Sequence, residues 1–419
     1  MKKKKAPLVR RMKEFVKTSV VWGPLDHNLF FTIIFLNVYG IIMVYSASYN
    51  NSITKNYSYF MNNQLKNVIF GFVIMIFASY VNYHRIVRLG WGWFWLLAAV
   101  AIIAALKTPL AHSELGATRW IKLGPVSFQA AEPIKAAIII FFAYYVSYWG
   151  LNRWYNQLLA CLLAIALLGF LFFFSNNLST VIVLFCICAV IILSSVKKPD
   201  LYWYFLLGLA LIIIAAIFVT VYLLMHQGAE NFRFVRIRAW LHPEEYAADE
   251  GLQAMQARYA IGAGGFWGKG LGQSLIKFKL SYSYNDFILA IICEELGVFG
   301  VIVMMTLFGY LLYRIYKIAQ NAWDIEGKVL AIGVFTQIAL QLLINVMVVT
   351  SVIPTTGVTL PFFSAGGTSV VFLLAELGMV LNVDKYAKER RFFEEAERHV
   401  AQMEQRGGIG DKGWRRNLD

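Results

Sequence analysis

Asn285-Asp-Phe-Ile-Leu-Ala-Ile-Ile-Cys-Glu-Glu-Leu-Gly297 opens an apolar run that lasts from Phe287 to Tyr313. A helix crosses the hydrocarbon core of a bilayer in roughly 20 apolar residues. The run therefore reads as a membrane span with one acid, Asp286, at its mouth and two more, Glu294 and Glu295, about two turns inside. Nine further runs surround it: Leu29 to Ala47, Leu65 to Tyr83, Leu89 to Leu106, Pro133 to Trp149, Gln157 to Phe174, Leu178 to Ser195, Leu201 to Met225, Lys328 to Thr350 and Thr368 to Val383. The expected fold class is an all-α polytopic membrane protein of about ten transmembrane helices. Composition agrees: of 419 residues, 59% are hydrophobic and 15% charged, with mean hydropathy +0.60, whereas soluble domains lie near one half and one quarter. A disordered chain would lack this apolar content, and four cysteines are too few for a disulfide framework in a chain of this size.

The net charge of +14 invites a nucleic-acid reading, which its distribution excludes. Lys2, Lys3, Lys4, Lys5, Arg10, Arg11, Lys13 and Lys17 precede the first run. A long basic lead with no small-residue cleavage site behind the run favours a retained span over a signal peptide. With that end in the cytoplasm, Arg85, Arg88, Arg153, Lys197, Lys198, Arg314, Lys317, Lys328 and the bases of the carboxyl tail fall on the same side. This follows the positive-inside rule and puts both termini inside. The organisation expected is a basic tail over 1–28, a membrane domain over 29–383 and a charged cytoplasmic tail over 384–419. From Asp384 to Arg406 that tail alternates acids and bases at helical spacing, as a solvated helix or a protein-binding face. Cys161, Cys186, Cys188 and Cys293 lie in apolar runs, and with six His residues they form no metal-ligand spacing.

Three outer segments are too rich to be connectors. Lys107 to Glu132 is the first, and Ser351 to Gly367 the third. The second, the large extracytoplasmic loop over 226–286 between spans seven and eight, far exceeds an ordinary connection. It carries Arg233, Arg236, Arg238, Arg258, Lys269, Lys277 and Lys279 on the side where topology disfavours cations, which suggests a phosphate or pyrophosphate ligand. Pairing with Glu244, Glu245, Asp249 and Glu250 is the alternative. Glu132 and Lys135 share a helix face at the start of the fourth span, either as a self-neutralising clamp or with Lys135 offered to an anionic head group. Asp286 can serve as a general base, hold a divalent cation or cap a helix. Glu294 and Glu295 either face the interior or fix helix packing. Gly262 to Gly272 has overlapping glycine spacings but no βαβ unit around it, so a re-entrant loop suits it better than a dinucleotide site. The hydroxyls and amides of Pro354 to Ser369 either bind a polar head group or pack an irregular hairpin.

These stretches, in this order, closely resemble the SEDS family (shape, elongation, division and sporulation). The matching residues are Gly116-Ala-Thr-Arg-Trp-Ile-Lys-Leu-Gly124 with Phe128, Gln129 and Glu132 to Lys135; Arg233 and Arg236 before Ala239-Trp-Leu; Gly264-Gly-Phe-Trp-Gly-Lys-Gly-Leu-Gly272; Asn285 to Gly297; and Pro354-Thr-Thr-Gly-Val-Thr-Leu-Pro-Phe-Phe-Ser-Ala-Gly-Gly-Thr-Ser369. The resemblance covers roughly Tyr45 to Asn382. Asn176-Asn-Leu-Ser-Thr180 departs from the family's Pro-Asp-Leu-Gly-Thr, so no acidic role is carried to Asn177. Ala130-Ala-Glu132 keeps the acid of Pro-Ser-Glu, and Leu280-Ser281 replaces Leu-Pro.

The resemblance implies an inverting glycosyltransferase that polymerises lipid II at the outer face of the bacterial cytoplasmic membrane beside a class B penicillin-binding protein. It implies Asp286 as the catalytic carboxylate, acting as general base, and Arg119, Glu132, Lys135, Arg233, Arg236, Lys269, Ser364, Gly366 and Gly367 as substrate-binding residues. A divalent cation, Mg²⁺ or Mn²⁺, at Asp286 is compatible with this chemistry. The extended tails favour the division (FtsW) branch, at the septum among divisome proteins, over the elongation (RodA) branch. Two rivals belong to other classes. A lipid II flippase would show repeated halves with paired broken helices, and no such repeat is visible. A non-catalytic scaffold that activates a penicillin-binding protein would tolerate Asp286→Asn.

Overall fold

The computed structural model describes residues 21, 23–48, 59–114, 117–124, 126–175, 177–196, 232–245, 250–278, 285–364 and 367–405. The chain begins with α1 (His27–Ser48), α2 (Tyr59–Tyr80), a short α3 (Tyr83–Val87) and α4 (Trp93–Ala105). After a small sheet come α5 (Ala131–Trp149), α6 (Trp154–Ser175) and α7 (Leu178–Ser195). The outer loop contributes α8 (Phe232–Leu241) and α9 (Glu250–Gly264), and the chain closes with α10 (Ile288–Asn321), α11 (Ile325–Val349) and α12 (Thr368–Gln405).

Six of these helices, α1, α2, α6, α7, α10 and α11, are long and apolar enough to cross a membrane by length and composition alone. Two others fall short of that measure for a reason that bears on function. α5 carries Glu132 and Lys135, and α12 carries Glu376, all buried. α4, with 13 residues, rises only about 20 Å. The expected seventh span, Leu201 to Met225, lies outside the described residues. One expectation needs adjusting. The first outer segment folds as a three-stranded antiparallel meander of β1 (Ala111–Glu114), β2 (Ala117–Leu123) and β3 (Val126–Gln129), in the order β1-β2-β3. The acids and bases expected at helical spacing from Asp384 do lie on a helix, because α12 runs unbroken for 38 residues into the charged tail.

Buried polar groups pin the end of the bundle that carries the inside-facing loops. Asp26 accepts from the Leu29 amide at 3.1 Å, capping α1, and pairs with Arg314 of α10. Asp324 caps α11 through the Gly327 amide at 2.8 Å and also accepts from Tyr83 Oη at 2.7 Å, with His84 Nε2 at 2.6 Å. Glu326 takes Arg88 at 2.8 Å and Ser147 at 3.1 Å. Asn382 of α12 donates to Ser79 O of α2 at 2.8 Å and accepts from the Tyr83 amide at 3.0 Å. α12 packs most extensively against α2. In hydrocarbon a polar group left unpaired is costly, so such side-chain to backbone bonds fix helix register.

Candidate active site

Glu132 and Lys135 enter the membrane in the first two turns of α5, where the acid suits the helix amino terminus. Pro133 loses little there, since first-turn amides have no intrahelical partner. Three residues apart, the two side chains meet at 2.8 Å with almost no exposure. Facing them, α11 presents Gln337, Gln341 and Asn345 at intervals of one helical turn. Gln337 donates to Glu376 of α12 at 2.8 Å. Asn345 donates at 2.9 Å both to the main-chain oxygen of Asp286 and to that of Val358. One amide thus ties the start of α10 to the third outer segment.

The described residues of that segment, 351–364 and 367, have no regular secondary structure and are anchored on several sides. Ser179 of α7 donates to Thr356 O at 2.9 Å, and Trp240 of α8 to Ser351 O at 2.8 Å. Ser364 donates to Asn285 O at 2.8 Å while accepting from the Leu360 amide at 2.7 Å. The three outer segments therefore converge at one end of the bundle. Between the first and third of them, bounded by α5, α7 and α11, lies a cleft whose wall includes Gln129, Glu132, Lys135, Asn177, Gln341 and Thr359. A neighbouring hollow joins Glu132 and Gln341 to Ser364 and Ser369. The cleft offers one cation, held by a buried carboxylate, among neutral amides and hydroxyls, an arrangement suited to a polar head group with an anionic part.

The glycine-rich stretch serves a different purpose. α10 is broken at Gly297, where φ is 65° and ψ −162°. The amides of Lys269 and Gly270 donate to the main-chain oxygens of Glu294 and Glu295 at 2.9 Å, and the amides of Val298 and Phe299 donate to Gly265 and Phe266 at 3.1 Å. The loop thereby satisfies backbone groups that the break releases within the membrane. Such proximity needs glycine: a Cβ on Gly268 would lie 2.2 Å from Glu295 O, and one on Gly297 2.4 Å from Gly268 N. Side chains lock the same junction. Glu294 pairs with Lys269 at 2.7 Å and accepts from Ser274; Glu295 accepts from Ser46 of α1 at 2.5 Å and lies 3.5 Å from Lys277. Both acids are fully buried, so of their two readings the packing one holds.

The expected site residues are thus distributed. Glu132, Lys135 and Ser364 line the cleft or its neighbour, and the main-chain oxygen of Asp286 is linked to the cleft wall by two hydrogen bonds, through Asn345 to Val358. Asp286 immediately precedes Phe287, the N-cap residue of α10. Arg236 lies one turn before Trp240, which reaches the third segment. Lys269 is engaged by Glu294 instead of the cleft. Gly367 adopts a left-handed backbone with φ of 53°. Arg119 and Arg233 lie on β2 and α8, but their side chains, like Gly366, fall outside the described residues. Sequence reasoning missed Asn345 and Gln337; the signal was the three amides spaced by four in an apolar run.

A multi-pass bundle with a polar cleft at its outer-loop end, entered by an ion pair, defines the class: a membrane protein built to handle an amphiphile's head group. The chain belongs to the FTSW_RODA_SPOVE family of cell cycle proteins, whose model matches residues 26–389. It is 31% identical over 382 residues to the probable peptidoglycan glycosyltransferase FtsW of Trichlorobacter lovleyi, covering 89% of this chain and 96% of that one. To the Bacillus subtilis protein of the same name it is 31% identical, covering 87% and 91%. To stage V sporulation protein E of Bacillus subtilis it is 33% identical, covering 85% and 96%. Among solved structures, a chain from a peptidoglycan synthase complex that coordinates polymerization and crosslinking superposes with a TM-score of 0.71 at 22% identity, covering 87% of this chain and 98% of that one. The rod shape determining protein RodA of Thermus thermophilus gives 0.62 at 22%, covering 87% and 97%. The fold is shared with both.

Proposed function

We propose that this protein is a peptidoglycan glycosyltransferase that polymerises lipid II into β-1,4 glycan at the outer face of the bacterial cytoplasmic membrane. The family and the names of its relatives support the activity. The structural observation that carries it is the joining of Asp286, through Asn345 and the third outer segment, to the cleft that holds Glu132 and Lys135. The carboxylate of Asp286 takes the proton of the acceptor's 4-hydroxyl as that oxygen attacks the donor's anomeric carbon. The bond to undecaprenyl pyrophosphate breaks in the same displacement, which inverts the α-linked donor to a β-linkage. Lys135 and Arg236 supply positive charge for the departing pyrophosphate.

Among the described residues no three His, Cys, Asp or Glu side chains gather as a metal cage. A divalent cation would therefore be held jointly by Asp286 and the substrate's pyrophosphate, where it would neutralise leaving-group charge. A class B penicillin-binding protein is the proposed partner, in keeping with the synthase complex that shares the fold. The predominance of FtsW names among the relatives supports the division branch and a septal location. The test is polymerisation of lipid II by the purified protein with its transpeptidase. Glycan strands from wild type but not from an equally assembled Asp286→Asn are expected. Strands from neither, with labelled lipid moved across the bilayer, would replace the proposal with a flippase.

A further inference from the structure

α12 brings into the bundle an acid that the cleft leaves unused. Glu376 is 1% exposed, and Gln337 of α11 is wholly buried. They stand one helical turn beneath Leu373 and Gln341, which line the hollow beside the cleft. A further turn down, α5 and α11 close on each other, since a Cβ on Gly333 would sit 2.6 Å from Ile139 Cγ2. Gln337 Nε2 donates to Glu376 Oε2 at 2.8 Å, but Glu376 Oε1 and Gln337 Oε1 both lack a hydrogen-bond partner among the described residues. Buried polar atoms are nearly always satisfied. Two orphaned acceptors on one bonded pair of side chains lack a donor.

Charge leads to the same place. The charged groups that act on the Glu376 carboxyl are Lys135 and Glu132 of α5, already joined to each other at 2.8 Å. The other helices around α12 bring no charge to this depth. α2 has no titratable side chain from Asn67 to Ser79, α11 none from Val329 to Val349, and α10 only Tyr310 and Tyr313 from Val298 to Tyr313. His84 of α3 meets α12 at Tyr386, about three turns away. Two carboxyls and one ammonium leave a net negative charge in a low-dielectric core, which is costly. A water between the orphaned oxygens would satisfy the hydrogen bonds and leave the charge. A proton answers both. We propose that the triad Glu132, Lys135 and Glu376 binds one proton, carried on Glu376 Oε1 and donated to Gln337 Oε1. It keeps the floor beneath the cleft neutral, so that Lys135 faces an anionic head group with no competing charge behind it. Glu376 is thereby a positioning residue that acts through Lys135. This last step rests on the proposed glycosyltransferase; the proton site does not.

Infrared difference spectra of the full-length protein in nanodiscs, wild type against Glu376→Gln, read the proton without substrate. At about pH 7, where ordinary carboxylates are ionised, wild type should show the carbonyl stretch of a neutral carboxylic acid, shifted in D₂O and missing from the variant. Gln337→Leu should keep that band and move it to higher frequency, because the hydrogen bond it donates is gone. A wild-type spectrum without the band would overturn the site in favour of a bound water. A band that survives Glu376→Gln would overturn it too, by placing the proton elsewhere. With the transpeptidase partner present, KM for lipid II should rise severalfold from about pH 7 to about pH 9.5 in wild type and stay level in Glu376→Gln, as repulsion from an unprotonated floor requires. An equal rise in both would remove Glu376 from positioning. Absence of polymerisation at every pH, with the band present, would overturn the proposed activity and leave the proton site standing.

Discussion

At the scale of single residues, Asp286 bears on the proposed chemistry, and the Glu132–Lys135 pair and Asp324 bear on stability. Asp286→Asn removes the proposed base while keeping the main-chain oxygen that Asn345 holds. Polymerisation should fall by roughly 10² to 10⁴, the usual worth of a positioned base, with expression and partner binding unchanged. Glu132→Gln and Lys135→Met each strand a buried charge, because the pair is almost wholly shielded from solvent. Each alone should cost about 3–5 kcal/mol, whereas the double variant should recover most of it. Thermal unfolding of the four forms in detergent reads this directly. Asp324, outside the spans, adds a pH signature. Burial pushes its carboxyl up, but hydrogen bonds from His84, the Gly327 amide and Tyr83 outweigh that and hold it below the ordinary carboxylate value. A carboxyl depressed in the folded state contributes stability above its unfolded pKa, about 4, and loses it as pH falls through the folded value. The stability gap between wild type and Asp324→Asn should thus be constant at neutral pH and shrink only below about pH 4.

Among the elements, the junction of α10 with the glycine-rich loop makes the sharpest claim. Gly297 has a backbone conformation essentially reserved for glycine, and a Cβ there would strike the main chain of Gly268 and Phe266. Gly297→Ala should cost more than the about 1–3 kcal/mol of backbone strain alone. It should also expose residues 265–275 to protease. Gly309→Ala, in open space on the same helix, should be neutral or slightly stabilising, since alanine favours helix. This junction also shows where the sequence was legible. Hydrophobic runs disclosed the spans, because a helix in lipid must be apolar around most of its surface. The glycines of 262–272 marked a tight or looped backbone, as residues 265–272 are, but not its target, since main-chain partners leave no trace in side-chain identity. The sheet was missed for a related reason. Its strands are short, and the local signal was the dipeptide Gly124-Pro125 in the sequence between β2 and β3. Asp286 was legible as a candidate through its position at a span mouth, whereas its link through Asn345 depends on long-range packing.

For the whole molecule, the sidedness read from charge has a simple check. Leu271→Cys, half exposed in the outer loop, should react with an impermeant maleimide in spheroplasts. Arg153→Cys, between α5 and α6, should react only after lysis. The reverse result would invert the topology and move the cleft to the cytoplasm. The length of α12 has a mechanical meaning as well. At 38 residues it is a rod of about 57 Å, nearly twice the hydrocarbon thickness. Its first turn bears Ser369, 3.5 Å from Gln129 at the cleft, and its far end stands among the charged tail. Pivoting about its midpoint, a tilt of about 5° displaces each end by some 2.5 Å in opposite directions, a distance comparable to a hydrogen bond. The helix has the proportions of a lever, with one arm at the cleft and the other beyond the opposite end of the bundle.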